Sequence, residues 1–236
     1  MGMTIAVIKT LSPMSFHTTA MTKEQFVEIA TVCEAYWIHN GDPKQPHAQL
    51  TSGLCSNGYL NLMKILQYSN LSQIFAHLLL QKLPESILNK VDWILGSAYT
   101  ATGLAKDAAN ILGAKWAPLR KDAYHTQHFT HGAPADNETI LHVEDIITTG
   151  KSLLSAHHAI RAAAKNAHII PSVPVIAHRP STEIIPLHQF LDCDIDFCPY
   201  FEFGEFWVLP QQKCTLCRAG SRPLQPKLNW QLLTSI

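Results

Sequence analysis

Charge is scarce in this 236-residue sequence: Asp, Glu, Lys and Arg make up 15% of it, against roughly a quarter in an average soluble chain. That shortfall predicts that some surface is buried against a second subunit. There is also no excess of either sign, with 18 basic and 18 acidic residues. Proteins that grip duplex phosphates carry a basic surplus, so a nucleic-acid partner is not expected. Any phosphate ligand must be held locally, by backbone amides, a metal ion or a few placed cations. No apolar run approaches about eighteen residues, so no membrane span is expected. The opening Met1-Gly2-Met3-Thr4-Ile5-Ala6 has no basic stretch for a signal peptide and has Ala6 where myristoylation needs Ser or Thr. The expected location is cytoplasmic. Six cysteines are too few for a disulfide scaffold and are read as reduced thiols. Repeats, low-complexity tracts and evident linkers are missing too.

What is present is 47% apolar content, enough for a sizeable core. Residues 1–20 show no period and read as a loose tail. Thr22 and Gln25 fit a capping box, and Phe26, Ile29, Ala30, Cys33 and Trp37 follow at helical spacing, predicting a helix over 23–38. Residues 48–61 suggest a hairpin or a strand with a turn. Helices are then predicted at 70–82, 101–112 and 151–166. Between them fall strands at 91–95, 114–117, 139–143 and 169–177, the last broken by Pro171 and Pro174. Residues 121–138 are a polar interruption, and the segment from 184 reads as short strands and turns. Strands alternating with helices of ten to fifteen residues mean crossover connections and a mostly parallel sheet, an α/β fold.

The chemistry concentrates in Val143-Glu144-Asp145-Ile146-Ile147-Thr148-Thr149-Gly150-Lys151-Ser152. An apolar strand delivers two carboxylates at its carboxyl end, and a Thr-Thr-Gly turn then opens a helix. Ligands of open parallel sheets bind off the carboxyl ends of strands, and a helix start offers unpaired N–H groups to a phosphate. The carboxylates cannot bind that phosphate, since like charges repel; they suit sugar hydroxyls, a bridging Mg²⁺ or a nearby carbocation. Gly150-Lys151-Ser152 mimics the end of a P-loop, but Asp145 stands where that motif requires Gly.

This segment resembles the phosphoribosyl-pyrophosphate (PRPP) motif of the type I phosphoribosyltransferases. Leu50-Thr51-Ser52-Gly53 with Ser56, Tyr59 and Asn61 is similar to the early segment of the orotate phosphoribosyltransferases. Gly96-Ser97-Ala98-Tyr99-Thr100-Ala101 is similar to their pyrophosphate loop, and Arg120-Lys121 with His131-Gly132 to the ends of their mobile catalytic loop. The resemblance implies a parallel five-stranded sheet flanked by helices. It implies a single domain over 1–236, with a core near 67–183 and a small hood from 21–66 and 184–236.

It further implies transfer of ribose 5-phosphate from PRPP to a base, with Mg²⁺ bound mainly through PRPP. Glu144, Asp145, Lys121 and His131 would be catalytic. Thr148, Thr149, Gly150, Lys151 and Ser152 would hold the 5-phosphate, and Ser97, Ala98, Tyr99, Thr100, Ala101 and Arg120 the pyrophosphate. Thr51, Ser52, Gly53 and Leu154 would face the base. A homodimer sharing loop 121–136 between subunits is implied as well. Against the family pattern, Thr51, Thr100 and Phe129 stand where Lys is usual, and Leu154 where an Arg faces the base. Orotate is the leading acceptor; another base such as a purine, or a non-catalytic PRPP-binding regulator, stays open.

Other candidates read more plainly. His125, His128 and His131 are spaced for a helix but lie in a loop, so polar loop residues are expected rather than zinc. His142 and His157 are read as hydrogen-bonded core histidines, and His158 as exposed. Cys193, Cys198, Cys214 and Cys217 make two pairs, the first loosely spaced, and reduced thiols are favoured over zinc. The aromatic run Tyr200, Phe201, Phe203, Phe206 and Trp207 is read as core or dimer contact.

Overall fold

A computed structural model of the chain describes residues 2–16, 19–50, 52–179 and 194–235. In chain order these form α1 (Ile5–Ile8), α2 (Lys23–Val32), β1 (Tyr36–Ile38), β2 (His47–Gln49), β3 (Cys55–Ser56) and β4 (Gly58–Leu60). Next come α3 (Leu62–Leu66), α4 (Ser69–Leu80), α5 (Glu85–Leu88), β5 (Trp93–Gly96), α6 (Thr100–Leu112), β6 (Lys115–Trp116), β7 (Leu119–Lys121) and β8 (Gln127–Phe129). The chain continues with β9 (Thr139–Ile147), α7 (Lys151–Ala163), β10 (His168–Ile169), β11 (Ser172–His178), β12 (Asp196–Glu202), β13 (Val208–Leu209), α8 (Thr215–Arg218), β14 (Pro223–Leu224) and α9 (Pro226–Thr234).

The central sheet has the order β12-β11-β9-β5-β6 and is parallel throughout. The five strands of the sequence reading are joined by a sixth, the two-residue β10, which pairs with the start of β9. Alternation along the strands divides the core. Ile94, Leu141, Val143 and Ile176 pack with residues of α4 and α6. Trp93, Leu95 and Ile140 meet Ile160 and Ala164 of α7 and the turn after it. Gly96 closes β5 where a Cβ would lie 2.3 Å from the Ala101 carbonyl oxygen, so the α6 turn sits directly on the strand end.

A second sheet, β13-β3-β2-β14, joins residues near 50 to residues beyond 207. It carries α9 beside β2 and β14 and stands over the carboxyl ends of the central strands.

Several expectations need correction. The first twenty residues are not loose where described: Thr4 caps α1, Ile8 and Phe16 enter the core, and the Asn70 side-chain amide donates to the Ile8 and Leu11 carbonyls. The helix expected over 23–38 stops at Val32, although its Thr22–Gln25 capping box forms. Glu34 turns left-handed (φ 53°), and the β-prone Tyr36–Ile38 pairs with Gly58–Leu60 instead. The strand expected over 139–143 runs on through Ile147. Pro171 does break a strand, but Pro174 lies inside β11. The polar interruption contains a hairpin, β7–β8, laid against α7.

Candidate functional site

Three adjoining cavities open off the carboxyl ends of β9, β5 and β11. The first, about 210 Å³, is lined by the run from Ile146 to Leu153. Gly150 takes a left-handed φ of 83° at the cap of α7, which a Cβ would strain, and this aims the first amides of a thirteen-residue helix into the cavity. Thr148, Thr149, Gly150, Lys151 and Ser152 are therefore brought together as read from the sequence.

The second cavity, about 260 Å³, is lined by Ser97, Ala98, Tyr99, Thr100, Lys121, Glu144, Asp145, Ser152 and Lys227 among others. The turn after β5, which includes a cis Ala98–Tyr99 peptide, is pinned from the hairpin side. The Ala98 N–H donates to the Gln127 side-chain oxygen at 2.6 Å, and the Gln127 amide donates to the Ser152 carbonyl at 2.7 Å. Lys121 reaches Ser152 Oγ at 3.3 Å, so β7 delivers it to its own chain's cavity. Ala101 is buried behind the turn.

Adjacent residues of a strand face opposite sides, and this separates the two carboxylates. Glu144 is buried; Ser97 Oγ donates to it, and His142 Nε2 lies 2.7 Å from the same oxygen. Asp145 opens onto both the second cavity and the third, where Thr100 hydrogen-bonds it. Burial first, and the neighbouring Glu144 charge second, push its carboxyl up to about 7; backbone N–H groups and Thr100 offset this only in part.

The third cavity encloses about 390 Å³ between the central sheet and the second sheet. Its walls include Gln49, Leu50, Tyr59, Asp145, Arg179 and Lys227. Arg179, at the end of β11, is buried, and its Nε has no hydrogen-bond partner among the described residues. Desolvation lowers its pKa, with Tyr59 opposing.

Other expected residues lie elsewhere. Arg120, His125, His128 and His131 are exposed and line none of these cavities. Ser52 and Gly53 form an exposed turn next to the lining residues Gln49 and Leu50, and Thr51 lies outside the described residues. Leu154 lines none of the three cavities; it packs with Ile147, Leu153, Val173 and Val175. His157 is buried as expected, but neither ring nitrogen has a hydrogen-bond partner among the described residues, and burial, with His142 next, pushes its pKa down to about 3. His158 is exposed. Of the cysteines, Cys193 is outside the described residues and Cys198 is on β12, far from a pairing with Cys214 and Cys217, which sit beside His47 and Cys55. Phe201, Phe203 and Phe206 are core; Tyr36 stacks on Phe206.

Sequence reasoning missed Arg179 and Lys227. Arg179 lies two residues past the strand expected over 169–177, so the rule that ligands bind at carboxyl ends could have found it. Lys227 has no sequence signal; the second sheet alone brings it there.

No family model matches the chain. It is 25% identical over 194 residues to an orotate phosphoribosyltransferase of Acidithiobacillus ferrooxidans, covering 81% of this chain and 93% of the relative. An orotate phosphoribosyltransferase of Caldanaerobacter subterraneus is 26% identical over 210 residues, covering 87% and 97%. The crystal structure of orotate phosphoribosyltransferase from Aeropyrum pernix superposes with a TM-score of 0.58 at 16% identity, over 76% of this chain and 94% of that one, which speaks for the fold. Helix-flanked parallel sheet, motif order and relatives agree: the chain has the fold of these transferases and is similar in sequence to the orotate phosphoribosyltransferases.

Proposed function

We propose that the protein transfers ribose 5-phosphate from PRPP to orotate, giving orotidine 5'-phosphate and pyrophosphate, a step of pyrimidine nucleotide synthesis. The observation that carries the choice of base is Arg179. The Arg usual just past the phosphate turn is Leu154 here, and a carboxylate facing Leu would lose several kcal/mol of solvation. Arg179 instead places a buried cation in the wall of the cavity next to Asp145, and a carboxylated base would give it a charge-assisted partner.

The chemistry follows from placement. The amides and hydroxyls of 148–152 hold the 5-phosphate. The C1–O bond to pyrophosphate breaks and the C1–N bond forms as the base nitrogen approaches, the ring N–H proton passing to pyrophosphate or water, while ionised Asp145 faces the positive charge that develops on the ribose. The turn 97–101 holds the pyrophosphate, with Lys121 and Lys227 supplying cations that Thr100 and Phe129 do not. Mg²⁺ suits the same place: hard oxygens of PRPP would bind it, with Asp145 and the more deeply buried Glu144 as nearby protein carboxylates, and it would neutralise the leaving group. A homodimer that shares the loop beyond Lys121 between sites, and a cytoplasmic location, complete the reading. Among the described residues no helix is long and apolar enough to cross a membrane.

The test is PRPP-dependent release of pyrophosphate with Mg²⁺ and orotate, uracil, hypoxanthine or adenine. Orotate is expected to react and uracil, which lacks the carboxylate, to fail. Turnover of a purine without orotate would replace the substrate. PRPP binding without turnover of any base would make the protein a regulator.

A further inference from the structure

We infer that His47, Cys55, Cys214 and Cys217 form a tetrahedral structural zinc site that ties the carboxyl-terminal segment to the β2–β3 hairpin. The four donor atoms lie within 4.8 Å of one another. His47 comes from β2, Cys55 from β3, Cys214 from the cap of α8 and Cys217 from within it. His47, Cys55 and Cys214 are wholly buried.

The spacings fit an ion between the donors. Cys55 Sγ and Cys217 Sγ are 3.8 Å apart, and His47 Nε2 lies 3.6 Å from Cys214 Sγ and 3.4 Å from Cys217 Sγ. With Zn–S about 2.3 Å and Zn–N about 2.0 Å, a tetrahedral centre sets its sulfurs about 3.8 Å apart and sulfur and nitrogen about 3.5 Å apart. A disulfide needs sulfurs at about 2.05 Å.

The surroundings also prepare the donors. Ser221 Oγ donates its one proton to the Gln45 carbonyl at 2.6 Å, so at 2.8 Å from His47 Nδ1 it must accept. The imidazole proton therefore sits on Nδ1, and Nε2 turns its lone pair toward the sulfurs, the outer-shell arrangement metal-binding histidines use. The Cys217 N–H donates to Cys214 Sγ at 3.4 Å, which fixes the position of that sulfur. Three sulfurs and one imidazole in tetrahedral spacing select zinc, and four protein donors leave no open position, so the role is structural. The site fastens the segment that carries Gln225, Pro226, Lys227 and Leu228 into the wall of the third cavity, opposite Gln49 and Leu50. The metal assignment does not depend on the proposed reaction.

The experiment uses the full chain, purified without a histidine tag. Elemental analysis is expected to find about one zinc per chain. Cobalt(II) exchanged into the site should give sulfur-to-cobalt charge-transfer bands and the intense visible bands of a tetrahedral centre. X-ray absorption on the zinc form should resolve three sulfurs and one nitrogen, and it keeps the inference testable if variants do not fold. Cys55→Ser and Cys214→Ser should each lose most of the zinc, while Cys198→Ser keeps it. Wild-type protein from zinc-supplemented cells with less than about a tenth of a zinc per chain, a Cys55–Cys217 disulfide by mass spectrometry, or loss of zinc in Cys198→Ser would overturn it.

Discussion

Replacing Asp145 with Asn should make the protein more stable at neutral pH while impairing it as an enzyme. The native carboxyl is held at about 7 against an ordinary value of 3.8. Each unit is worth about 1.4 kcal/mol, so keeping this group ionised in the folded state above pH 7 costs roughly 4 kcal/mol. Asn is nearly isosteric, and its side-chain oxygen can still accept from the backbone N–H groups and Thr100, though more weakly than a carboxylate. Allowing for that loss, the expected gain is about 2–3 kcal/mol, or roughly 4–12 °C in Tm for a chain of this length. The sign with pH is fixed by the raised pKa. Between 3.8 and about 7 the folded state binds the proton that the unfolded chain has released, so the parent loses stability as pH rises through that window. The gain from Asn should therefore be near zero at about pH 4, grow to about pH 7 and stay level above. Thermal and urea unfolding of both proteins from pH 4.5 to 8.5 decides the matter. A variant no more stable than its parent at pH 8, or a gain that does not change with pH, refutes the reasoning. Under the proposed reaction the same variant, alone or with Glu144→Gln, should lose at least roughly tenfold in PRPP turnover.

Arg179→Leu should raise the KM for orotate by roughly 10–100-fold, the worth of a charge-assisted hydrogen bond, with the KM for PRPP nearly unchanged and Arg179→Lys partly restoring it; steady-state kinetics in both substrates read this out. His157→Leu removes two unpaired buried nitrogens and should stabilise the fold more at pH 5 than at pH 7.5. Native His157 stays neutral down to about 3 while the unfolded chain takes a proton below about 6.5, so the parent forfeits about 2 kcal/mol by pH 5, and parallel urea melts at the two pH values measure the difference. Gly96→Ala should cost about 1–3 kcal/mol and weaken PRPP binding, because its Cβ would collide with the Ala101 carbonyl and push the 97–101 turn off the strand end; calorimetric titration with PRPP checks the second effect.

The parts of this site that were legible in the sequence are those whose chemistry is contiguous. A strand end, a Thr-Thr-Gly turn and a helix start need only about ten residues to build a cavity at a helix start, the proposed phosphate cradle, so 143–152 carries its own meaning without knowledge of the rest of the chain. The same locality failed for the two carboxylates. Adjacency suggested a joint role, yet the pleat sends Glu144 inward to Ser97 and His142, where it touches the second cavity alone of the three, and opens Asp145 to both the second and the third. Leu154 misled in the opposite way, because a missing Arg looked like a missing function. The cation enters instead from Arg179 at the end of a neighbouring strand and from Lys227 on a helix that only the second sheet brings near.

The cysteines make the point most sharply. Reading along the chain pairs Cys214 and Cys217 with Cys193 and Cys198, the nearest thiols. The fold pairs them with Cys55 and His47, more than 150 residues away, through an antiparallel β3–β13 contact and a parallel β2–β14 contact that no local pattern encodes. A site assembled across a sheet from both ends of a chain is invisible to spacing, and the third cavity, which sets Gln49–Leu50 and Gln225–Leu228 beside the central strand ends, was hidden for the same reason.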